Sequence, residues 1–393
     1  MPKTQLNHEK SRAEKASKNG QRRSLPNRRN EGEVTSARTL AGLRSGLLGW
    51  YVRNRRDLPW RRSADPYAIW VSEIMLQQTR VAVVVERYQG FLLRFPTLLS
   101  LALAREEEVL ALWSGLGYYR RARMLHKAAQ FVAGQLQGNL PRSASALRTL
   151  PGIGVYTAAA IASIAHGEAV AVVDGNVERV LCRLEGWEAG TAGHAALRQR
   201  IESLAAELVD RNQPGDFNQA MMELGATVCL PRNPQCLVCP WAANCKTKGE
   251  HKTAPRAKMT SREVAYALAV RTARHGIKSG REVLLEKRVA SHTVMPGLWE
   301  LPALKDTAVP EDELRLTVRH AIMQVNYYVR IRTVFEDDVD SMTVPGDERR
   351  WVLLAEAAGM ALTGLARKVL TRAHLLAAAP QDAITPQTGE DVF

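Results

Sequence analysis

Four cysteines in one short stretch of the sequence could bind a metal. Six, two and five residues separate Cys229, Cys236, Cys239 and Cys245. Disulfides are disfavoured in an intracellular protein, and four free thiols this close together would be a redox liability. We therefore favour a structural metal site over four unrelated thiols. Zinc and iron-sulfur clusters both accept four thiolates, but zinc ribbons usually pair two Cys-x-x-Cys knuckles, and only the central pair here has that spacing.

Two carboxylates have sequence contexts that could support acid-base chemistry. Glu73 lies in a mostly apolar segment that runs from Trp70 to Thr79. Burial there would raise its pKa and keep a proton on it near neutral pH. Asp174 ends an apolar stretch and comes just before a predicted helix. Taken alone, Asp174 is better explained as the cap of that helix.

A glycine-containing turn between two predicted helices is a candidate anion site. The run from Leu150 to Gly154 reads Leu-Pro-Gly-Ile-Gly. Gly152 and Gly154 could form a tight turn whose backbone amides face outward at a helix N-terminus, and such a turn binds phosphate. Most Pro-Gly-x-Gly runs are ordinary interhelical turns, so the run alone does not establish the site.

The spacing of the apolar residues predicts the elements that position these groups. From Leu40 to about Leu230 apolar residues recur mostly at helical spacing, with Gly and Pro at the breaks, which predicts an all-helical domain. Asp65 and Pro66 suit the start of one helix, whose apolar stripe would exclude Glu73. Further helices are predicted at 81–94, 105–113, 119–137, 155–166, 176–185, 194–211 and 217–228.

The chain changes character after the cysteines. Residues 246–262 are charged and weakly apolar, which suits an exposed linker. A period-two alternation that starts at Val264 then predicts a smaller α+β domain over 263–378, followed by a tail over 379–393. Strands are predicted from Val264 to Val270, Val283 to Glu286, Ala321 to Phe335 and Trp351 to Leu354, and helices near 310–318 and 363–378.

The net charge of +14 indicates a polyanionic partner, and we expect nucleic acid rather than an acidic membrane. Residues 1–38 hold ten Lys or Arg against four Glu and few large apolar residues, which predicts a disordered basic tail. The sequence has no apolar run of about eighteen residues and no apolar stretch suited to a signal peptide. We therefore expect a soluble protein of the cytoplasm, associated with the nucleoid.

Three of these features together resemble the endonuclease III and MutY superfamily of DNA glycosylases. They are the C-x6-C-x2-C-x5-C arrangement, the hairpin at 150–154 and the apolar stretch that ends at Asp174. The resemblance implies a helix-hairpin-helix glycosylase domain over 39–228 and a [4Fe-4S] cluster on the cysteines of a loop over 229–245. It also implies a monomer that binds double-stranded DNA, with Arg232 and Lys246 available for the DNA backbone. Cys182 is expected to be a buried small hydrophobe instead of a ligand.

The resemblance also implies roles for individual residues. Loss of a base leaves positive charge on the sugar, which Asp174 would stabilise. Glu73 looks like the MutY residue that protonates adenine N7. Tyr156 stands where enzymes that also cut the backbone have a lysine, which implies a monofunctional enzyme. Tyr156 and Asn176 would support Asp174 by hydrogen bonds. Gln78 and Tyr118 would wedge into the duplex, and Arg61 and Gln219 would contact adenine.

Residues 263–378 resemble the Nudix-like recognition domain of MutY proteins, which reads 8-oxoguanine opposite the adenine. The likeness depends on Val283 to Arg288 and Gly297 to Pro302. One departure concerns Ile322, Met323 and Gln324, which replace the Phe-Ser-His of relatives. It leaves the strength of 8-oxoguanine recognition open, and Ile322 and Met323 could simply pack in a strand.

The favoured function is therefore removal of adenine mispaired with 8-oxoguanine or guanine in base excision repair. Two alternatives remain. One is a thymine or other pyrimidine mismatch glycosylase on the same scaffold, since neither Tyr156 nor the cysteines name the base. The other is a non-catalytic DNA-binding or redox-sensing iron-sulfur protein.

Overall fold

The computed structural model describes residues 37–188, 193–251, 258–273, 280–289, 291 and 294–377. Residues 37–251 form a helical part, and 258–377 form a C-terminal α+β region. This confirms the predicted mainly helical fold with a smaller α+β region after it. The basic tail predicted over 1–38 lies outside the described residues except for its last two, which begin the first helix. The tail predicted over 379–393 also lies outside them.

The helical part follows the predicted pattern closely. Helices near 81–94, 155–166 and 176–185 are present within one residue of the predicted limits, whereas two short helices near 100 and 145 were not predicted. Its helices are α1 (Ala37–Asn54), α2 (Pro66–Leu76), α3 (Val81–Arg94), α4 (Leu98–Ala102), α5 (Glu106–Leu112), α6 (Arg120–Gln135), α7 (Ala144–Leu147), α8 (Val155–His166), α9 (Gly175–Glu185), α10 (His194–Leu208) and α11 (Pro214–Thr227).

Helix α2 is the central helix of this part. Asp65 caps it by accepting a hydrogen bond from the Tyr67 backbone N–H at 3.0 Å, and Pro66 occupies the first helical position, as predicted. The predicted apolar stripe is too narrow, because every residue from Tyr67 to Met75 is buried. The helix packs against α3, α6 and α8 on different sides. Glu73 therefore lies inside the core and not at the edge of a stripe.

The helical part contains two main apolar clusters. One is built around α2, α3 and α6, and the other around α1, α9, α10 and α11. Helix α8 and the segment that leads into α9 connect them. A cavity between two such clusters is where side chains from distant parts of the chain can meet.

The C-terminal region contains two sheets. In the first, β6 pairs with β1 in parallel and with β5 in antiparallel fashion; in the second, β3 pairs with β2, β4 and β7. Its elements are β1 (Thr260–Leu268), β2 (Val270–Thr272), β3 (Arg281–Lys287), β4 (Trp299–Glu300), β5 (Leu314–Ile322), β6 (Val325–Thr333), α12 (Val339–Met342), β7 (Arg349–Leu353), α13 (Leu354–Ala357) and α14 (Gly364–Arg372).

The structure of this region departs from the predictions in several places. Only a 3-10 helix at Glu311–Glu313 is present within the helix predicted near 310–318, and β5 begins at Leu314, because Leu316 and Val318 alternate with polar residues and pair with β6. The single strand predicted from Ala321 to Phe335 is interrupted by a turn at Met323, whose φ is +55°. Met323 is 77% exposed, so it does not pack in a strand. Strand β1 also begins inside the predicted linker, of which 252–257 lie outside the described residues.

The C-terminal region packs directly on the helical part. The Tyr119 hydroxyl donates to the Leu362 carbonyl at 3.0 Å, and Leu298 and Ala361 belong to the same apolar cluster as α2. Across the same boundary, Lys287 Nζ lies 3.1 Å from Glu107 Oε1 and forms an ion pair with it. None of the helices in the described ranges is long and apolar enough to cross a membrane.

Candidate active site

A cavity of about 200 Å³ lies between the two clusters of the helical part. Its walls come from α2, α8, α9 and α11 and from a short 3-10 helix at Pro59–Arg61. Six of the residues predicted to form the site line it together, namely Arg61, Glu73, Tyr156, Asp174, Asn176 and Gln219. The fold thus brings one predicted constellation together from segments far apart in sequence.

Glu73 is a buried acid in the wall of this cavity. Only 4% of the residue is exposed. Burial raises its pKa to about 7; the nearby Asp174 adds to the rise, while a hydrogen bond from Tyr156 and the charge of Arg61 oppose it. A carboxyl group with this pKa holds a proton in a large fraction of molecules at neutral pH. The side chain can therefore act as a proton donor.

Tyr156 is the hydrogen-bond partner of Glu73. It lies in the first turn of α8, and its hydroxyl donates to Glu73 Oε2 at 2.7 Å. Burial raises the pKa of Tyr156 well above its ordinary value, so the hydroxyl keeps its proton and stays a donor. The prediction that Tyr156 supports Asp174 by a hydrogen bond is therefore wrong in this structure. The hydroxyl also contacts Met222 Sδ at 3.3 Å.

Asp174 is both a helix cap and a cavity residue. Its Oδ1 accepts a hydrogen bond from the Val177 backbone N–H at 2.7 Å, which caps α9. Its Oδ2 accepts one from Asn176 Nδ2 at 3.0 Å, as predicted. The structural and functional readings of Asp174 are therefore compatible, because the cap fixes the carboxylate at the cavity wall.

The position of Asn176 depends on a close approach of α9 and α11. A Cβ added at Gly225 would lie 2.7 Å from Asn176 Cβ, so only glycine allows this approach. Asn176 Oδ1 in turn accepts a hydrogen bond from Arg179 Nη2 at 3.0 Å. The amide that supports Asp174 is thus held from two sides.

Glu223 is a cavity residue that the sequence reasoning missed. Its Oε2 accepts hydrogen bonds from Arg56 Nη2 at 2.7 Å and Arg61 Nη2 at 2.8 Å. Burial opposes its charge, but the hydrogen bonds from the two guanidinium groups outweigh burial and lower the pKa of Glu223 to about 2. One signal could have found it, since Glu223 follows Gln219 by four residues and so shares its helix face.

The remaining predicted DNA contacts do not line the cavity. Gln78 and Tyr118 are exposed, and both have left-handed backbone conformations, with φ of +54° and +45°. Gly152 has φ of +75°, and an added Cβ would lie 2.7 Å from Met124 Cβ, so the hairpin turn needs glycine there. Gly154 precedes α8 as its N-cap. Their contact with a DNA duplex therefore stays a prediction.

The four clustered cysteines line a second, smaller cavity of about 30 Å³. Burial raises the pKa of Cys239 to about 11, and the nearby thiols of the other three cysteines add to the rise. No three of the described acidic, His or Cys side chains are close enough together for one metal ion. The donor set that lines this cavity is all thiol, which is the chemistry that an iron-sulfur cluster or a zinc ion accepts.

The surroundings of the cysteines are polar on one side. Buried Arg183 donates from Nη1 to Cys229 Sγ at 3.4 Å, and its carbonyl faces Cys245 Sγ at 3.3 Å. Lys246, predicted to be free for DNA, pairs with Glu185 at 2.7 Å. Cys182 is buried in the apolar cluster around α9, as predicted, and does not line the cavity.

Comparison with known proteins agrees with this helical fold. Residues 71–214 match the model of the HhH-GPD superfamily, described as base excision DNA repair proteins. The chain is 50% identical over 218 residues to a Homo sapiens adenine DNA glycosylase, covering 53% of this chain and 40% of that protein. It is 38% identical to an Arabidopsis thaliana adenine DNA glycosylase, covering 73% of this chain and 50% of that one.

A solved structure of a thermostable thymine-DNA glycosylase is 30% identical, with a TM-score of 0.50, and the match covers 53% of this chain and 96% of that one. The chain therefore spans half or less of the length of the two adenine DNA glycosylases but nearly all of a solved relative. On this evidence the chain belongs to the HhH-GPD superfamily of base excision DNA repair proteins.

Proposed function

We propose that the protein is a monofunctional adenine DNA glycosylase, which hydrolyses the N-glycosidic bond of adenine mispaired with 8-oxoguanine or guanine. One observation carries the proposal: Glu73 and Asp174 line the same cavity, and the pKa of Glu73 is raised to about 7. A carboxyl group that holds a proton, with a second carboxyl group in the same cavity, suits cleavage of a glycosidic bond. The name shared by the human and plant relatives supports adenine as the base.

Glu73 supplies the proton in this mechanism. Tyr156 donates to its Oε2, so the acidic proton belongs on Oε1. Transfer of that proton to adenine N7 lets the electron pair of the C1′–N9 bond leave with the base, which departs as neutral adenine. General acid catalysis of this kind typically contributes about 10² to 10⁴ in rate.

Asp174 acts on the sugar. Bond cleavage leaves positive charge on the deoxyribose ring, which a carboxylate beside it stabilises. Asp174 accepts hydrogen bonds at both oxygens, which suits a fixed anion. A water molecule then adds its hydroxyl to C1′ and returns its proton to Glu73, so that the products are an abasic sugar and adenine. None of the described residues that line the cavity is a lysine, which supports release of the base without a Schiff base.

We further propose that Cys229, Cys236, Cys239 and Cys245 hold a [4Fe-4S] cluster. When bound, the cluster supplies a rigid covalent cross-link for the loop over 229–245, and it has no part in breaking the glycosidic bond. Anaerobically purified protein should be brown and contain about four irons per chain. Stoichiometric zinc without visible absorbance would contradict this assignment.

The C-terminal region is proposed to be the Nudix-like recognition domain that reads the base opposite adenine, on a monomer bound to duplex DNA at the nucleoid. The segment that departs from the family pattern consists of Ile322 at the end of β5 and the exposed turn residues Met323 and Gln324. Single-turnover rates on duplexes with A opposite 8-oxoguanine and A opposite guanine measure the discrimination. Equal rates would mean that this region does not read the oxidised base.

The catalytic proposal is tested with Glu73→Gln and Asp174→Asn on a defined duplex that contains A opposite 8-oxoguanine. Both variants should bind this DNA as the wild type does, while adenine release falls by about 10³ or more. Glu202→Gln, which changes an exposed glutamate in α10, is the matched control and should keep the wild-type rate. Normal turnover by either cavity variant would refute the assigned role.

A thymine mismatch glycosylase is the second candidate, because the solved relative is named a thymine-DNA glycosylase. The two candidates differ in what the leaving base needs. A buried proton donor suits adenine, which is a poor leaving group until protonated. The same protein assayed on T opposite G should release much less base than on A opposite 8-oxoguanine. Faster thymine release would replace the adenine proposal. No base release from either duplex, with DNA binding retained, would favour the non-catalytic alternative.

A further inference from the structure

Arg121 lies beneath the two loops that carry the exposed side chains of Gln78 and Tyr118. It is in the first turn of α6, and its guanidinium group makes hydrogen bonds to both loops. Nη1 donates to the carbonyls of Ile74, Met75 and Gln77, and Nη2 donates to Thr79 Oγ1 at 2.9 Å and to the carbonyls of Leu116 at 3.0 Å and Gly117 at 3.4 Å. One side chain therefore joins the end of α2 to the loop before α6.

The acceptors of Arg121 are all neutral. Among the ion pairs of the described residues none includes it, and its guanidinium also lies over the rings of Trp113 and Tyr118 at 5.7 and 5.3 Å. The last carbonyls of a helix have no partner within the helix and carry partial negative charge. In many helices a left-handed glycine turn satisfies them. Here Gln78 stands in the left-handed conformation, and Arg121 satisfies the carbonyls instead.

Both loops are held in conformations that cost free energy. Gln78 and Tyr118 have φ of +54° and +45°, values that residues other than glycine rarely adopt. Such conformations persist only where the surrounding structure fixes them. Arg121 is the group that contacts both loops, and Thr79 adds a bond from its hydroxyl to the Leu116 carbonyl at 3.3 Å. The hydrogen bonds of the Arg121 guanidinium group thus help to offset the strain of both loops.

We propose that Arg121 is a positioning residue that fixes Gln78 and Tyr118 as one rigid pair of side chains for entering the base stack of duplex DNA. The inference rests on the proposed function, in which these side chains fill the space left by an extruded nucleotide. A lysine cannot replace Arg121, because a single ammonium lacks the planar fork that reaches both loops at once.

The first test measures amide hydrogen exchange in the free, full-length protein, and so does not depend on catalysis. In Arg121→Lys, exchange should be faster by about tenfold or more in both segments, 76–80 and 115–119. Arg44→Lys is the matched control, since Arg44 also binds helix-end carbonyls, those of Glu207 and Leu208 in α10. It should leave both segments unchanged. Faster exchange in only one segment, or in neither, overturns the proposal.

The second test asks whether Arg121 acts through the two side chains. Arg121→Lys should lower the single-turnover rate of adenine release by about a hundredfold. In a background that carries Gln78→Ala and Tyr118→Ala, the same change should cost no more than about twofold, because the side chains that it positions are gone. Independent, multiplicative losses would instead indicate a general structural role and overturn the proposal.

Two further measurements keep these outcomes separate. If Arg121→Lys does not fold, Thr79→Val removes one acceptor of Nη2 and should accelerate exchange in the same two segments to a smaller extent. If amide exchange in these segments is not faster in Thr79→Val, the proposal is also overturned. If the wild type releases no adenine, the proposed function fails, whereas the exchange data still decide whether Arg121 couples the two loops.

Discussion

Two glutamates in the wall of one cavity have opposite protonation behaviour. Glu73 and Glu223 are buried to nearly the same degree, with 4% and 1% of each residue exposed. The pKa of Glu73 is raised to about 7, whereas that of Glu223 is lowered to about 2. The partner explains the difference, because Glu73 accepts from a neutral tyrosine hydroxyl and Glu223 from the guanidinium groups of Arg56 and Arg61.

The comparison teaches that burial alone does not decide the charge of a carboxyl group. Desolvation raises the pKa at both positions, and only paired cations reverse its effect. The cavity therefore contains a proton donor and a fixed anion. The anion in turn holds Arg61 at the cavity wall, and the proposed function gives that side chain a contact with adenine.

The largest effect is expected when the anion is removed. Glu223→Gln leaves the Arg61 guanidinium buried without its charge partner, which typically costs about 3 to 5 kcal/mol. Since the Arg56 side chain is 39% exposed, we expect about 3 kcal/mol, measured as the free energy of unfolding in urea at pH 7. In the control Glu202→Gln, loss of an exposed pair with Arg198 should cost under about 1 kcal/mol. A similar loss of unfolding free energy in both variants would mean that the buried ion pair stabilises the protein no more than the exposed pair does.

A smaller effect is expected from the pH dependence of stability. The pKa of Glu73 is higher in the folded protein than its ordinary value of 4.5, so proton binding stabilises the folded state. That contribution is complete below pH 4.5 and is lost as pH rises through 7. Relative to wild type, Glu73→Gln should therefore gain about 2 kcal/mol in unfolding free energy between pH 5 and pH 8.

Glu223 gives the opposite sign, which sharpens the test. Its folded pKa of about 2 lies below the ordinary value, so its contribution is present above pH 4.5 and is lost as pH falls toward 2. Relative to wild type, the loss in unfolding free energy of Glu223→Gln should become smaller as pH falls. The unfolding free energy of Glu73→Gln should instead increase relative to wild type as pH rises. Parallel pH profiles for the two variants would contradict the assigned charge states.

The smallest effect is a shift in the pH profile of catalysis. If Glu73 acts as the protonated form, adenine release should slow as pH rises through about 7. The hydrogen bond from Tyr156 lowers the pKa of Glu73, so Tyr156→Phe should move this decline to higher pH. Tyr67→Phe removes a buried hydroxyl that donates to the Phe95 carbonyl, away from the cavity, and should leave the profile in place. A shift toward lower pH in Tyr156→Phe would exclude this account of the hydrogen bond.

Features that depend on local pattern could be predicted from the sequence. The helix limits near 155 and 175, the cap at Asp65 and the neighbouring cysteines all follow from residue types at short spacing. The meeting of Glu73 with Asp174 was predicted only because the motifs resemble a known superfamily, since their separation along the chain carries no geometric information of its own.

Features that depend on tertiary contacts could not be predicted. The sequence does not show that the Tyr156 hydroxyl donates to Glu73 instead of Asp174, because the packing of α8 on α2 determines its acceptor. The two guanidinium groups on Glu223 come from a segment more than 160 residues away. The helix predicted near 310–318 was wrong over β5, because pairing with β6 is a tertiary contact that the sequence does not show.

The shared core described above has a consequence for dissecting the protein. Leu298 and Ala361 complete an apolar cluster whose other members, including Trp113, belong to the helical part, and the Tyr119 hydroxyl has its acceptor across the same boundary. A truncated chain that stops after the cysteine loop would therefore expose apolar side chains next to α6 to water. Such a fragment should have a lower melting temperature than the intact protein. A loss of activity after truncation would therefore reflect destabilisation of the helical part as well as removal of the C-terminal region.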